Sequence, residues 1–484
     1  RLGGAVVAAR GAVGGWWLGR RGRSASARRA DLARRLRVAA EALGPTYIKL
    51  GQIIASGQGL FPPELVAEFE RCRDRVPPEP FAAIRAVVEA DLGRPLEEVF
   101  ARFDRRPLAA ASIAQAHLAV LRTGEEVVVK VQRPSVAARV RADLRVMSWL
   151  APFLVGRIPV AALANPPALV DLFAETITEE LDFRLEADNM LAVAASLVEL
   201  GQRGYVVPRP HPELVTPRVL VMERLHGFAF DDATGMRGAG IDTEAVVRTG
   251  MVMFLEGAML HGLFHGDLHA GNLLVLADGR TGLLDFGIVA RLTPAQRNAF
   301  VRLLVAASMN DVAGQLAALR DLGALPPDAD LRAIIDDLGL EGPPLDPTAM
   351  SAEALTAEIQ RVVKALLGYG AQLPKPLMLL VKNLVFLDGA ITTLAPDLDL
   401  LAEVSDLAMY FTRRHGERIA TEVGLAPDAW SLDLSGVQAG LGADDGAASF
   451  THRDLRRRRL QVGRRLGVAP DEDGDDGRGR GGRG

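Results

Sequence analysis

Hydrophobic residues recur along the chain with helical spacing in two stretches. Residues 31–105 carry apolar positions three or four residues apart, which predicts helices punctuated by prolines. Residues 166–200 show the same spacing, and Phe173 and Ile177 fall on one face of that pattern. We therefore predict several helices before residue 105 and one long amphipathic helix over 166–200.

Between these stretches the pattern predicts a small sheet. Ile113–Arg122 and Glu125–Val131 flank the turn sequence Thr123-Gly124 and together predict a β-hairpin. This order favours an α+β protein with two lobes and a cleft between them. Three further segments complete the pattern: short strand candidates at 206–207 and 219–222, and a helical half from residue 246 that is interrupted by a loop-rich stretch at 264–290.

The composition limits the class of protein. The chain has 484 residues with 56 basic and 60 acidic side chains, and this balance argues against a nucleic-acid partner held by overall charge. Hydrophobic residues make up 49%, which is enough for a sizeable core. The single cysteine, Cys72, cannot form an internal disulfide, as expected in a reducing compartment such as the cytoplasm.

The start of the chain is strongly basic. The first thirty residues contain seven arginines, Trp16, Trp17 and no acid, which predicts either contact with an anionic membrane surface or a disordered basic tail. No uninterrupted apolar run reaches the ~20 residues that a spanning helix needs. Lys382 and Asp388, for example, interrupt the stretch 377–391. We therefore expect at most a peripheral contact with the inner face of the cell membrane.

The strongest chemical signal lies in the loop-rich stretch. It contains Asp267, then Asn272 five residues later, and then Asp285-Phe286-Gly287. Phosphoryl transfer from ATP needs metal ions on the phosphates, a carboxylate near the acceptor and fixed positive charge. We assign Asp267 to orient or deprotonate the acceptor, and Asn272 and Asp285 to bind Mg²⁺ through hard oxygen ligands. The two motifs together predict phosphoryl chemistry with ATP and Mg²⁺.

Lysine is scarce, so the positions where it remains are informative. Of 56 basic side chains only five are lysine, and Lys130 is the only lysine between residues 50 and 363. It lies in the apolar strand pattern 126–131, where a compact ammonium can reach nucleotide phosphates while pairing with a helix carboxylate. Spacing alone leaves several candidates for that carboxylate: Glu175, Glu179, Glu180, Asp182, Glu186 and Asp188.

A zinc site is the main alternative for the loop-rich stretch. His261, His265 and His269 recur every four residues, as metal ligands on one helix would. Gly262 and Gly266 interrupt the same stretch and argue against one continuous helix. We therefore favour the phosphoryl-transfer interpretation over the zinc site.

The sequence departs from ordinary protein kinases in three places. The loop before the hairpin, 109–115, is rich in alanine and has no glycine, so it approaches phosphates less freely. Gly266 replaces the arginine that would pair with an activation-loop phosphate. After Gly287 the chain runs almost directly into the helical pattern 294–308 without an Ala-Pro-Glu. These departures favour a small or lipid-like acceptor, or ATP hydrolysis alone.

The motifs together resemble those of the UbiB/AarF family of atypical kinases, over about residues 36–400. The resemblance implies a two-lobed protein kinase-like fold with a helical N-terminal extension, a small antiparallel sheet lobe and a mostly helical C-terminal lobe. Four segments carry it: the KxGQ segment 43–52, the alanine-rich loop 109–117, the lysine strand 128–134 and the ExD segment 180–187.

The resemblance also implies roles for single residues. Glu186 is by this match the carboxylate paired with Lys130. The KxGQ helix is expected to lie over the site where a peptide would bind, with Lys49 approaching Glu180 and Asp182. The remaining expected positions are regulatory Gln52 and the nucleotide contacts Ala110, Ala111, Ser112, Ile113 and Glu223.

Family membership implies a function as well. Such proteins bind ATP, show ATPase activity with protein-kinase activity suppressed, and support isoprenoid quinone biosynthesis at a membrane. A lipid or quinone precursor is therefore an expected partner beside ATP. Many bacterial members end in a hydrophobic hairpin, whereas this sequence ends in charged low complexity, which favours peripheral contact.

Two other functions remain open at this stage. A phosphotransferase of the aminoglycoside-kinase type shares the His-Gly-Asp-x-His loop, although Lys49–Gln52 and Glu180–Glu186 argue against it. A nucleotide-binding pseudokinase scaffold is the other. The predicted division of the chain is a basic segment 1–35, a helical extension 36–105, an N-lobe 106–225, a helical C-lobe 226–430 with the catalytic loop, and a low-complexity tail 431–484.

Overall fold

The computed structural model describes most of the chain outside its two ends. The described residues are 25–55, 63–69, 71, 77–154, 166–309, 311–340, 351, 354, 361–362, 365–366, 368–371, 374–423, 434–441, 443 and 447–465. The predictions for Trp16, Trp17, Cys72, the acidic end 471–476 and the side chain of Gln52 lie outside what the structure describes.

The described chain alternates helical stretches with short strands. The helices are α1 Ala25–Leu43, α2 Pro45–Ala55, α3 Pro63–Phe69, α4 Phe81–Leu92, α5 Leu96–Val99, α6 Val136–Leu154, α7 Pro166–Glu179, α8 Phe183–Glu199, α9 Ala233–Gly238, α10 Thr243–Glu256, α11 Pro294–Ser308, α12 Val312–Asp321, α13 Leu331–Leu338, α14 Lys375–Leu394, α15 Leu400–Val423, α16 Leu434–Leu441 and α17 His452–Arg465. The strands are β1 Phe100–Phe103, β2 Ala109–Ala110, β3 Ala114–Leu121, β4 Glu126–Gln132, β5 Tyr205–Val206, β6 Pro210–Val215, β7 Val219–Glu223, β8 Phe228–Ala229, β9 Leu263–His265, β10 Leu273–Val275, β11 Thr281–Leu283 and β12 Val289–Arg291.

The chain folds into two compact units. Of the described residues, the first unit contains those up to Phe230 together with His265–Val289, and the second contains Asp231–Phe264 and those from Ala290 onward. The stretch 265–289, which carries the candidate catalytic residues, therefore belongs to the unit that contains the large sheet. The predicted five-part division of the chain stays a prediction.

An antiparallel sheet organises the first unit. Its strand order is β1-β3-β4-β7-β6, and β2 pairs with the start of β3 at Gln115 and Ala116. The predicted hairpin is confirmed, because β3 and β4 pair in register across a turn in which Gly124 has φ +89°. That left-handed conformation favours glycine. The sheet places β4 in its centre, between β3 and β7.

The alternation of side chains along β4 separates the core from the site. Val127, Val129 and Val131 are fully buried and pack with Ile84 and Val88 of α4 in one hydrophobic cluster. Successive side chains of a strand point to opposite faces. Lys130 therefore lies on the other face of the sheet, and the apolar core behind it fixes the strand that carries it.

The prediction of helices over 31–105 is wrong at its C-terminal edge, and one strand of the sheet was missed. The helical pattern of 31–105 ends in a strand, because Phe100–Phe103 pairs with β3 at Leu121 and Ala119. Strand β6 was not predicted from the sequence. It begins at Pro210 and pairs irregularly with β7 at the edge of the sheet, where prolines are tolerated.

The prediction of a single long helix over 166–200 is also wrong. The structure has two helices, α7 and α8, separated at residues 180–182. Asp182 begins α8 as its N-cap, and its carboxylate accepts a hydrogen bond from the backbone N–H of Arg184 at 3.1 Å. Phe183 N–H donates to the carbonyl of Pro217 at 3.1 Å, which ties the start of α8 to the sheet. The break falls within the ExD segment itself.

The second unit is mostly helical, and α14 is its most apolar long helix. Within the described residues, one helix meets the length and composition criterion for crossing a membrane, and it is α14. This corrects the expectation that Lys382 and Asp388 would disqualify the stretch. Helices in the core of a globular domain meet the same criterion, and α14 buries Leu380, Leu387 and Ile391 inside its own unit.

Candidate functional site

A short hairpin brings two of the predicted metal ligands together. Strands β10 and β11 pair antiparallel, with Leu273 opposite Leu283. Asn272 precedes β10, and its carbonyl accepts a hydrogen bond from Leu284 N–H at 2.9 Å. Asp285 follows directly. Residues separated by thirteen positions in sequence therefore lie at the same end of one hairpin.

His265 links the two catalytic motifs. One of its ring nitrogens, Nδ1, accepts a hydrogen bond from Asp267 N–H at 3.1 Å, and the other, Nε2, therefore carries the proton and donates to the carbonyl of Asp285. Burial lowers the pKa of His265, against the opposing effect of the Asp267 carboxylate, so the ring is neutral and suited to this tautomer. Asn272 Nδ2 also donates to the carbonyl of Asp267 at 3.1 Å.

Lys130 lies between two carboxylates. Its Nζ is 2.8 Å from Oε1 and 2.9 Å from Oε2 of Glu186, and 3.2 Å from Oδ2 of Asp285. The ammonium also lies 5.4 Å from the ring centroid of Phe183. The side chain of Glu186 is only 4% exposed, whereas that of Asp285 is 43% exposed and faces the cavity. Among the six acidic candidates that spacing left open, the structure brings Glu186 to Lys130.

The electrostatics keep Lys130 and Asp285 charged, whereas burial raises the pKa of Glu186 to about 7 against the opposing effect of Lys130. Burial would lower the pKa of Lys130, but the carboxylates of Asp285 and Glu186 outweigh it and raise that pKa above its ordinary value. Burial acts to raise the pKa of Asp285, and Lys130 together with the Gly287 N–H overcomes it, so that pKa lies well below its usual range. Asp285 is therefore ionised at neutral pH, as a metal ligand must be.

The acidic pair expected beside Lys49 separates into two environments. Lys49 Nζ lies 2.9 Å from Oε1 of Glu180, with side-chain exposures of 15% and 11%. Asp182 instead accepts from the guanidinium of Arg184 at 3.0 and 2.6 Å. Burial raises the pKa of Glu180, and Lys49 acts to lower it. The structure therefore brings Lys49 to Glu180 and leaves Asp182 to cap α8.

The alanine-rich loop is held tightly although it lacks glycine. Ala111 N–H donates to the carbonyl of Ala114 at 2.9 Å, and Ser112 and Ile113 are buried. Ala110 pairs with Gln115 across β2 and β3. Arg133, the residue directly after β4, holds this loop in place, because its Nε donates to the carbonyl of Ala111 at 2.8 Å.

The same Arg133 side chain reaches the segment before α4. Its Nη2 donates to the carbonyl of Pro77 at 2.9 Å, and its Nη1 lies 3.2 Å from Oε1 of Glu79. Arg133 N–H donates to the carbonyl of Ile113 at 2.9 Å, and the residue is 6% exposed. Planar guanidinium groups suit such convergent bonding better than an ammonium. Arg133 thus ties the loop over the candidate phosphate site to the helical extension.

Glu223 ends strand β7, at the segment expected to contact adenine. Its N–H donates to the carbonyl of Arg209 at 2.9 Å, and the N–H of Arg224 donates to the carbonyl of Glu126 at 3.2 Å. Both backbone donors are therefore engaged in the sheet. A base bound here would have to use carbonyl groups of this segment or N–H groups beyond Arg224.

These elements enclose a cavity of about 70 Å³ within the first unit. Ligand pockets usually measure about 300–1,000 Å³, so side chains on the wall must move to admit a nucleotide. Basic and acidic groups converge on this cavity. It is lined by Lys49, Ala111, Ser112, Ile113, Ala114, Lys130, Glu179, Glu180, Asp182, Phe183, Glu186, Asp267, Asp285, Gly287 and Ile288.

The donor set fits magnesium better than zinc. Mg²⁺ prefers one or two carboxylate or amide oxygens supplemented by phosphate and water, which Asp285 and Asn272 can supply. Among the described residues, no cluster of three or more His, Cys, Asp or Glu side chains could hold a metal. His265 lies in β9 and His269 caps a short 3₁₀ turn by accepting from Gly271 N–H, so they do not share a helix face. The prediction that His261, His265 and His269 do not lie on one continuous helix is confirmed.

Two residues contribute to the site in roles that were not predicted from the sequence. Asn189 Nδ2 donates to the carbonyl of Phe286 at 3.0 Å, and Asn189 follows Glu186 by one helical turn. That spacing puts both side chains on one helix face and was the available signal. His265 precedes Asp267 by two residues, but its role depends on Asp285 twenty residues later. No local pattern could show that contact.

The comparisons with known proteins identify the family of this chain. The family model described as the ABC1 atypical kinase-like domain matches residues 71–318. The chain belongs to the ABC1 atypical kinase-like family. The resemblance to UbiB/AarF proteins and the α+β kinase-like fold expected from the sequence are therefore confirmed.

Relatives of this chain occur in bacteria and in a plant. An uncharacterized protein of Mycobacterium tuberculosis is 38% identical over 379 residues, which is 76% of each chain. An uncharacterized aarF domain-containing protein kinase of Arabidopsis thaliana, described as chloroplastic, is 36% identical over 76% of this chain and 73% of its own. A protein of Azotobacter vinelandii named "Probable protein kinase UbiB" is 33% identical over 80% of this chain and 73% of its own.

Substituting Arg133 tests how the alanine-rich loop is held. Arg133→Lys keeps the charge but loses the fork that reaches Ala111, Pro77 and Glu79. Loss of charged hydrogen bonds in a buried place costs about 1.5–3 kcal/mol. We expect amide hydrogen exchange in the loop 109–115 to accelerate by about tenfold or more.

The matched control for this test is Arg106→Lys, which changes an exposed arginine three residues before the loop. It should leave exchange in the loop unchanged. Equal protection in wild type and Arg133→Lys would contradict the role given to the guanidinium.

Proposed function

We propose that this protein binds Mg·ATP in the cavity around Lys130 and catalyses its hydrolysis or the transfer of its terminal phosphoryl group. The observation that carries the proposal is the Lys130 ammonium, held by both oxygens of Glu186 at 2.8 and 2.9 Å and directed to Asp285 at 3.2 Å. Fixed positive charge beside an ionised carboxylate is what phosphoryl transfer requires. The alanine-rich loop lies on the wall of the same cavity.

Each residue has a specific task in this proposal. Asp285 and Asn272 would hold the magnesium ion, which neutralises charge on the phosphates when bound. Glu186 fixes the Lys130 ammonium so that it can contact phosphate oxygens. Asp267 orients the acceptor hydroxyl or water and accepts its proton. His265 keeps the backbone of the Asp267 loop against that of Asp285.

The acceptor in this proposal is small, lipid-like or water. Helix α11 begins at Pro294, seven residues after Gly287, so little chain is available between them to position a peptide. Two relatives carry the name "Probable protein kinase UbiB". We infer that the protein supports isoprenoid quinone or related lipid metabolism, and that it works in contact with the membrane that carries such lipids.

Lys49 has a regulatory role in this scheme. It reaches the cavity from α2 and pairs with Glu180 at 2.9 Å, close to Asp285 and Asp267. Because the cavity measures only about 70 Å³, this pair occupies space that a nucleotide or acceptor would need. Gln52 lies on the same helix and is proposed to assist Lys49.

The nucleotide site is tested with Asp285→Asn and Lys130→Arg. Asp285→Asn removes the ionised metal ligand, and we expect Mg-dependent ATP hydrolysis to fall by about 100-fold or more. Lys130→Arg keeps the charge, but the larger group cannot keep the bidentate contact with Glu186, so a strong reduction is expected. The measurements are Mg·ATP binding and steady-state ATP turnover.

Matched controls separate this effect from general damage. Asp188→Asn changes an exposed acid on α8, and Lys375→Arg changes a lysine of the second unit. Both should behave as wild type. Retention of Mg·ATP binding and turnover in the two site variants would contradict the assignment of the site.

The gating role of Lys49 is tested with Lys49→Ala. Removing the ammonium breaks its ion pair with Glu180 and enlarges the cavity. We expect the ratio of ATP to ADP affinity to change, or autophosphorylation to appear. The control is Lys382→Ala in α14 of the second unit. An unchanged nucleotide profile in Lys49→Ala would exclude the gating role.

The biological role is tested by deleting the gene and profiling isoprenoid quinones. We expect ubiquinone or menaquinone to fall and a precursor to accumulate. The wild-type gene should restore the profile, and the gene with Asp285→Asn should not. Normal quinone levels would favour a small-molecule phosphotransferase, whereas rescue by Asp285→Asn would favour a nucleotide-binding scaffold.

A further inference from the structure

Helix α6 is apolar on two opposite faces. Its inner face buries Val140, Met147 and Ala151 against Phe173 and Ile177 of α7. This burial is sufficient to hold the helix on the first unit. The outer face nevertheless carries a second row of large apolar side chains. They are Val146, Trp149, Leu150 and Phe153, with exposed fractions of 47%, 68%, 43% and 49%.

The outer residues form one continuous stripe. Their spacing of three, four and seven positions places them on the same side of the helix. The rings of Trp149 and Phe153 contact each other, with centroids 5.3 Å apart. Single exposed apolar residues are ordinary on protein surfaces, but a contiguous apolar stripe is typical of an interaction site.

The charged side chains that α6 exposes to solvent are all positive. Arg139, Arg141 and Arg145 are exposed. The one acid of α6, Asp143, turns inward and accepts a hydrogen bond from the Thr46 hydroxyl at 2.6 Å. The solvent side of α6 therefore combines positive charge with exposed aromatic and aliphatic groups.

We propose that the outer face of α6 docks on an anionic lipid bilayer. A helix with arginines beside tryptophan, phenylalanine and leucine is the type that lies in the membrane interface. The arginine stems can extend along the apolar stripe while their guanidinium groups reach lipid phosphates. Tryptophan prefers the interface because its ring is apolar and its N–H finds a partner at the headgroups.

A proteinaceous partner fits this face less well. An apolar protein groove would accommodate the four apolar side chains, but it would leave three arginines on one helix without a defined counter-charge. A bilayer containing anionic lipid supplies both a hydrocarbon boundary and a dense layer of negative charge. The proposed docking surface lies on α6, and the expectation of membrane contact by the basic first thirty residues stays a prediction.

The experiment measures binding of the full chain to lipid vesicles. Vesicles of phosphatidylcholine with phosphatidylglycerol should sediment the protein, and vesicles of phosphatidylcholine alone should sediment much less of it. The double substitution Trp149→Ser with Phe153→Ser should weaken partitioning by about tenfold or more. Arg141→Gln should weaken it by about fivefold, and added salt should weaken it further.

A second readout locates the contact on the protein. Phosphatidylcholine with brominated acyl chains, mixed with phosphatidylglycerol, should quench tryptophan fluorescence in wild type. Trp149→Phe should remove most of this quenching while it retains binding, because phenylalanine keeps the apolar contact. Quenching of equal size in Trp149→Phe would place the contact at another tryptophan and overturn the proposal.

Matched controls use equally exposed residues elsewhere on the first unit. Val198→Ser and Arg106→Gln change side chains that are exposed on other elements, and both should bind vesicles as wild type does. Thermal unfolding should be unchanged in all these variants, since each altered side chain faces solvent. Asp285→Asn should also bind normally, which separates this proposal from that of nucleotide chemistry.

Three outcomes would overturn the proposal. Binding that is insensitive to the Trp149/Phe153 pair would show that another surface carries the contact. Equal binding to neutral vesicles would remove the role of the arginines. Self-association in solution that the same double substitution abolishes would identify a second copy of this chain as the occupant of the stripe.

Discussion

The ion pair of Lys130 with Glu186 and Asp285 is the constraint on which the rest of the site depends. An ammonium so little exposed is tolerated only when carboxylates compensate it, because an unpaired buried charge is very costly. Its two partners are 56 and 155 residues away in sequence. The strand β4, the helix α8 and the hairpin β10–β11 must therefore all reach their places before this charge is satisfied.

The surrounding architecture supplies that placement through ordinary periodicity. Alternation along β4 sends three valines into the core and Lys130 to the opposite face. The Asp182 cap fixes Phe183 as the first residue of α8. Glu186 therefore lies in the first turn of that helix, and Asn189 follows one turn later. The register of the hairpin then sets Asn272 beside the residue that precedes Asp285. Each step uses a local rule, but only their combination produces the cluster.

The alanine-rich loop shows how the fold compensates for a missing residue type. A loop without glycine has little freedom to bend around phosphates. Here the backbone is held by the fork of Arg133, which also reaches Pro77 and Glu79 ahead of α4. The loop is thus part of a network that includes the helical extension, and that extension also carries Lys49 into the cavity.

The sequence by itself determined the family, the types of side chain at the candidate site and most of the elements that carry them. The hairpin around Gly124, the strand of Lys130, the start of α11 at Pro294 and the family membership all follow from local pattern and motif. From the sequence alone, six acidic residues remained candidate partners for Lys130. The segments of α7 and α8 were predicted to form one helix, and the apolar stripe on α6 was not predicted. Tertiary structure decided these points, because the ion-pair partner of Lys130, the tie between the start of α8 and Pro217, and the exposure of an apolar face all depend on groups distant in sequence.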